Sequence, residues 1–467
     1  MSAQRTNIRL RRGVYFAAAA VMLLALSPII SPQSALAQEP PLDYPGVGKL
    51  PGRPDAITLG DWALYPTFKV FSVYSDNWFL SPSSPISAFG VGISPAFSAE
   101  WTNGIHKTTI FASLEHKDFP AEPEINTLDY SAGIKQRYEM LRDLIFSGQF
   151  TVNHTTISPG LTSGAPNTAS APSSTQLANG NTLLPNGNIV SPTGQVVGSS
   201  NPALSVNGTS VVNPYDQFTG MVSVDKYFNR AEVSFSSTLT HTEYAMASQN
   251  LPNSTAIGFS GNGSFWLTPI FYAYSNGSWS DNSNAVQDTS SFRAVGGLGL
   301  RLNQFFGASS YFGRQGTDSS GQTGGDVYGV SLSYNPLPDL TFTASGNETI
   351  NIAPSTGVQT PFVQSLGTQT PLLVPIGDST KTTALSFGAN YIISPQWSAS
   401  TNFSYTHVEY TGSTRLETSW LADAALTYQM WRNFTLSLDY QYASIVSTVA
   451  NENAKRNLVT MSGTYKF

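Results

Sequence analysis

"FGVGISPAFSAEW" (Phe89–Trp101) reads in two columns. Phe89, Val91, Ile93, Phe97 and Trp101 fall on one parity; Gly90, Gly92, Ser94, Ser98 and Glu100 fall on the other. A period of two places the apolar residues on one face of an extended strand. The length matters as much as the alternation. Strands of soluble sandwiches run to about 5–6 residues. A tilted strand that crosses a bilayer needs about 9–11, with an apolar outer face and a polar lumen.

The pattern recurs along the chain. "NTLDYSAGIKQRYE" sets Leu128, Tyr130, Ala132, Ile134 and Tyr138 against Asp129, Ser131, Lys135, Arg137 and Glu139. "NFTLSLDYQY" sets Phe434, Leu436, Leu438, Tyr440 and Tyr442 against Thr435, Ser437, Asp439 and Gln441. Backbone groups cannot go unpaired in lipid, so strands of this kind close into a barrel. No stretch after residue 37 is long and apolar enough for a transmembrane helix.

Alternation predicts strands near 61–75, 87–101, 106–117, 126–139, 143–155, 216–227, 230–243, 289–302 and 304–316. Further strands are predicted near 325–336, 339–350, 381–393, 396–410, 415–430, 433–446 and 453–467. Residues 254–281 supply two more, "AIGFSGNGSF" and "PIFYAYSNGSW", with "WLT" (Trp266–Thr268) as the turn; a single strand there would break the up-and-down order. The expected fold is therefore all-β: a transmembrane antiparallel up-and-down β-barrel over 61–467 with 18 strands, 16 being the alternative. Bacterial barrels have even counts.

Short links such as "TNG", "FNR", "NPLPD", "SPQ" and "WRN" alternate with long segments rich in Ser, Gly, Asn, Pro and Thr. Short periplasmic turns and longer outer loops give this rhythm. The longest outer loop, 156–216, carries Asn-Gly pairs at Asn179, Asn186 and Asn207. Within it "LPNGNIVSPTGQVV" has the turn and Ile/Val signals of a small hairpin.

Arg5, Arg9, Arg11 and Arg12, the apolar run Val14–Leu26 and the A-x-A site Ala35-Leu36-Ala37 form the three parts of a secretory signal peptide, 1–37, cleaved before Gln38. A Pro-rich periplasmic segment, 38–60, follows. Removing residues 1–37 takes four Arg and no acid from a chain with 23 basic and 29 acidic residues, leaving a net charge of −10. That balance, with no basic patch, excludes a nucleic-acid partner. There is no cysteine. Charged residues are 11% of the chain against about 25% in ordinary soluble domains, and small polar and aromatic residues replace them. Such a composition suits one face in lipid and one in water.

"GRPDAITLGDWALYPTFKVFSVYSDNWFL" (residues 52–80) combines a Gly-aromatic-Leu-x-Pro opening, an alternating strand and a Tyr-x-Asp-Asn end. With the "LTP" turn (Leu267–Pro269) and the aromatic C-terminus, it resembles the putative beta-barrel porin 2 family. The resemblance covers essentially all of 52–467. It implies a bacterial outer-membrane barrel whose substrate is undefined, with exopolysaccharide-linked relatives. The terminus resembles the signal read by the barrel-assembly machinery: Phe467 and Tyr465 supply the aromatic pair, with Val459 and Met461 on the same face, and Gly463 sits one place beyond Ser462, where the usual glycine would fall.

The chain has five histidines, the first candidates for catalysis. His116, His154, His241 and His407 share the lipid-side parity at the outer ends of strands, and His106 shares the parity of Ile110. Amphipathic rings of this kind belong to an interfacial belt. No metal-binding spacing and no phosphate loop occurs, so the expectation is a non-enzyme without cofactors. Lumen parity holds Lys135, Arg137, Glu139, Glu232, Arg293, Arg301, Asp423 and Asp439, which are the candidate pore-lining residues. Arg137, Arg293, Arg301, Asp423 and Asp439 are the expected constriction. Passive or weakly selective passage of small hydrophilic solutes across the bacterial outer membrane is the leading function, beside lipid and lipopolysaccharide as surroundings. A conduit or accessory for exopolysaccharide export, and a surface barrel with a plugged lumen, are the alternatives.

Overall fold

The computed structural model describes residues 56–81, 85–157, 213–244, 253–284, 288–302, 305–317, 324–351, 379–411, 414–448 and 453–467. It also describes short strand pieces between 175 and 199, at 358–359 and at 372–373. The expected signal peptide lies outside the described residues.

Eighteen long strands form one antiparallel sheet. They are β1 Trp62–Ser75, β2 Ala88–Thr102, β3 His106–Asp118, β4 Thr127–Leu141, β5 Leu144–Ile157, β6 Asn213–Tyr227, β7 Ala231–Tyr244, β8 Ser254–Trp266 and β9 Phe271–Asn284. The second half comprises β10 Asp288–Leu302, β11 Phe306–Thr317, β12 Gly325–Leu337, β13 Leu340–Asn351, β14 Ser379–Ile392, β15 Trp397–Thr411, β16 Leu416–Trp431, β17 Phe434–Ser447 and β18 Ala454–Lys466. Each strand pairs with its neighbours in sequence, and β1 pairs with β18 from Thr67↔Lys466 to Ser75↔Leu458. The sheet is closed.

Closure follows from the sequence. Strands of 12 to 16 residues exceed the bilayer requirement, and their alternation sorts side chains without exception over long runs. Phe89, Val91, Ile93 and Phe97 point outward, with Phe89 54% exposed. Gly90 and Gly92 face inward, where a Cβ would collide with the rings of Phe119 and Phe71. Leu298 and Phe312 are more than 60% exposed on the outside. In water so much apolar surface would be an aggregation hazard; in lipid it is the ordinary outer belt.

The two ends of the cylinder differ. At the turn end the links are two to four residues, for example 103–105, 142–143, 228–230, 267–270 and 432–433. In the link 103–105, Gly104 takes φ +91°, and the Asn103 Oδ1 accepts the His106 N–H at 2.8 Å. Two links use a hydroxyl followed by proline. Thr268 Oγ1 accepts the N–H groups of Ile270 and Phe271, and Ser394 Oγ those of Gln396 and Trp397. Such side-chain turns satisfy backbone donors where proline offers none.

Several turn links differ from the sequence expectation. The expected "WLT" turn moves to 267–270, and Trp266 joins β8, because Thr268 rather than Trp266 organises the bend. The "WRN" and "NPLPD" links shrink because strands continue into them past register shifts at Gln429/Trp431 and Tyr334/Leu337. A third shift lies at Glu139/Leu141. Bulges tighten twist and let a strand end in a hairpin of two residues.

One expectation about a loop is partly visible. Asn188–Val190 pairs with Val196–Ser199, which is the predicted hairpin, and Thr175–Gln176 and Thr182–Leu183 extend it to four short strands. Part of the N-terminal segment 38–60 is also a strand: Ile57–Leu59 pairs with Trp62–Leu64 through a bend in which Gly60 has φ +60°.

The core is not a layer between sheets. It lies inside the barrel at the loop end, where residues 76–81 fold inward. Trp78 and Phe79 pack with Val73, Ala88, Phe119 and Ile125, and Leu80 packs with Leu421, Ala443, Ile445 and Ala454. Trp78 meets Phe119 edge-on at 4.6 Å. Leu80 is fully buried and is the one non-glycine with a positive φ, 51°, among the described residues. Packing of that side chain offsets the cost of the left-handed backbone.

Candidate pore lining

The wall is polar on its inner side, and every predicted lumen residue stands there. Lys135, Arg137 and Glu139 are on β4, Glu232 on β7, Arg293 and Arg301 on β10, Asp423 on β16 and Asp439 on β17. Each has the parity opposite to exposed apolar neighbours on its strand, such as Tyr130, Val233, Leu298, Leu426 and Leu438.

The expected constriction is not one cluster. β4, β10 and β16 are six strands apart around the closed sheet, so its residues stand on separate walls. Arg137 pairs with Glu139 at 2.5 Å. Asp423 accepts a hydrogen bond from Gln441 at 2.8 Å, and Gln441 in turn accepts one from Arg456 at 2.6 Å. Asp439 accepts one from Ser437 at 3.2 Å. Arg293 lies 5.1 Å from the centroid of Tyr311. Parity alone assigns a residue to the lumen but carries no information on its angular position.

Sequence reasoning missed other inward charges. Lys117 bridges Glu115 at 2.6 Å and Asp129 at 3.8 Å, and Lys69 lies 4.9 Å over the Phe71 ring. Arg456 is fully buried. All share the parity that was used for the others, so the signal was present. The side-chain oxygens of Asn347, Asn390 and Asn402, inward on β13, β14 and β15, have no hydrogen-bond partner within the chain. Buried polar atoms of this kind are normally met by a protein partner or an ordered water.

Residues 378–467 match the family described as putative beta-barrel porin 2. They span β14 to β18, the arc whose inner face carries Asp423, Asp439 and Arg456. The chain is a closed 18-strand β-barrel whose last five strands match this family. Among solved structures it is similar to OpdL of Pseudomonas aeruginosa at 11% identity, covering 88% of this chain and 99% of that one, with a TM-score of 0.45. OccAB4 of Acinetobacter baumannii is similar at 11% identity over 86% and 98% of the two chains, TM-score 0.44. The copper transporter OprC gives 8% identity over 88% and 82%, TM-score 0.46. No curated protein matches the sequence.

On this barrel the histidines stand outside, as their parity predicts. His154 is stacked on Tyr130 at 4.8 Å and hydrogen-bonded to Asp216 at 2.7 Å. His241 meets Thr255 at 2.8 Å and Glu243 at 3.0 Å, and His407 meets Thr418 at 3.0 Å. His116 meets the Thr127 carbonyl at 3.1 Å, and His106 stacks on Tyr138 at 4.5 Å. The tyrosine partners and the strand-end positions suit the interfacial belt. Among the described residues no group of three or more His, Cys, Asp or Glu could hold a metal ion.

Among the described residues outside the spanning segments, one carboxyl is shifted. The Asp143 carboxyl, in a turn-end link, is held below the usual carboxylate range by a hydrogen bond from Lys226 at 2.5 Å.

The seam between β1 and β18 is locked at the loop end. Asp76 accepts hydrogen bonds from the Asn457 N–H at 2.7 Å and from its side-chain amide at 2.6 Å. Asn77 donates to the Lys455 carbonyl at 3.0 Å and to the Ser81 carbonyl at 2.8 Å, while accepting from the Ser81 N–H at 2.8 Å. The Tyr-x-Asp-Asn end of the N-terminal motif thus joins first strand to last and turns the following residues inward. At the other end of the seam the Phe467 N–H donates to the Pro66 carbonyl at 3.1 Å. Tyr465 and Phe467 sit outward in edge contact, centroids 4.8 Å apart.

Proposed function

We propose that this chain is a non-enzymatic outer-membrane porin that passes small hydrophilic solutes by diffusion. One observation carries the reading: a closed 18-strand cylinder whose outer wall is apolar and aromatic and whose inner wall is charged and amidic. Barrels of 16–18 strands leave an aqueous channel. The turn end would face the periplasm and the loop end the exterior, with lipopolysaccharide around the latter. The leader 1–37, cut before Gln38, would take the chain to the periplasm, and Tyr465 with Phe467 would present it to the barrel-assembly machinery.

The test is the current across a planar bilayer holding the refolded mature chain. Steady, ion-permeable openings are expected. A barrel that inserts, as shown by resistance to heat and protease, but stays closed would overturn the reading. It would favour the plugged alternative, which the inward packing of Trp78, Phe79 and Leu80 supports. A closed barrel whose deletion abolished polysaccharide secretion would favour the export alternative.

A further inference from the structure

One stretch of the inner wall has a character of its own. Trp266 and Tyr272 stand 5.0 Å apart between ring centroids, and Tyr272 and Tyr274 stand 5.9 Å apart. Tyr274 is paired with Gly297, and Gly297 with Tyr311 on the following strand. The rings of Tyr272, Tyr274 and Tyr311 lie across Gly299, Gly297 and Gly329, so close that a Cβ at any of the three would collide with them. Tyr272 is buried at 4% exposure, and the partly exposed, inward rings of Trp266, Tyr274 and Tyr311 are the ones within reach of the lumen. The track climbs from Trp266, at the turn end of β8, to Tyr311, where Arg293 stands over the ring.

The charge along this stretch has one sign. Arg293 and Arg301 point inward from β10, whereas Asp281, Asp288, Asp326 and Glu348 have outward parity and Asp339 is in a turn. No carboxylate faces inward from the described residues of β8 to β13. Of the lumen acids, Glu232 stands on the adjoining β7, paired with Ser264, and Glu115, Asp129, Asp225, Asp423 and Asp439 stand further round the wall.

We propose that this strip is a binding track for an acidic sugar: a saccharide ring bearing a carboxylate. The aliphatic C–H face of a pyranose packs on an aromatic face, its hydroxyls meet the tyrosine hydroxyls, and its carboxylate meets the Arg293 guanidinium. A neutral sugar lacks the ion pair, and an acyclic sugar acid lacks the ring that stacks. The proposal deepens the porin reading by naming a solute class for the same lumen, but binding itself needs no open channel.

The test is calorimetric titration of the refolded full barrel in detergent with glucuronate, glucose and gluconate. Glucuronate is expected to bind about tenfold or more tightly than either of the others. Arg293→Gln should bring glucuronate to the level of glucose, and Tyr274→Ala to the level of gluconate. Heat-modifiable gel mobility reports whether each variant is folded. If Tyr274→Ala fails to fold, Arg293→Gln decides alone. Equal binding of the three solutes, or glucuronate binding unchanged by Arg293→Gln, would overturn the proposal. Selective binding by a barrel that never conducts would sink the porin reading and leave this one standing; conductance without selectivity would do the reverse.

Discussion

The Asp76 carboxylate takes both its hydrogen bonds from Asn457, a residue 381 positions away in sequence. Asp76→Ala leaves those donors unmatched and is expected to cost about 1–3 kcal/mol, read as a lower urea midpoint for the refolded barrel. Gly92 shows the opposite constraint. Its missing Cβ is the space occupied by Phe71 and the His116 carbonyl, so Gly92→Val should destabilise by about 1–3 kcal/mol through overpacking, checked by the same unfolding curve. Asp143 supplies a pH signature. Because its folded value is depressed by Lys226, its contribution is present above the unfolded carboxylate value. It is lost as pH falls through the depressed folded one. Asp143→Asn should therefore lower the unfolding midpoint slightly at neutral pH, with the difference from the parent vanishing in acid, so that the acid-side fall is flattened.

A strand here has two faces with different solvents, and the same substitution should give opposite answers on them. Leu438→Arg puts a charge against lipid from a residue 49% exposed on the outer wall. It should cost about 2–4 kcal/mol near the midplane. Thr427→Arg, on the inner parity of the adjacent β16, should fold with near-parental stability; refolding yield into lipid vesicles separates the two. This two-faced character made the elements legible. Phe89, Val91 and Ile93 were sufficient to place β2, because period two has one structural reading at that length. The turns were less legible. Trp266 belongs to a strand and Thr268 governs the bend, a distinction that depends on where a hydroxyl reaches rather than on polarity. The lining was legible as a parity and illegible as a cluster. Arg137, Arg293 and Asp423 share a face of the sheet, but their separation around it depends on closure. The inward fold of residues 76–81 was also hidden, since its signal, Trp-Phe-Leu after Asp-Asn, lies in a segment without alternation.

At the scale of the whole molecule, the two ends of the barrel sequence are neighbours, and the last residue takes part in the ladder through the Pro66 carbonyl. Phe467→Ala should lower the amount of barrel assembled in cells while leaving the unfolding midpoint of refolded protein within about 0.5 kcal/mol of the parent, as expected for a surface change. Quantitative blotting of outer membranes beside urea titration distinguishes the two effects. A matching fall in both would assign Phe467 to stability instead of delivery.

The β1–β18 seam also imposes an order of events. Until the final strand arrives, the sheet has two raw edges, each a row of unmet amides able to recruit a foreign chain. The pairing that removes them spans almost the full polypeptide, and contacts of such sequence separation form late. Vulnerability to aggregation is thus concentrated in the interval between synthesis and zipping, and an escort for that interval protects this protein more than any added stability of the finished cylinder.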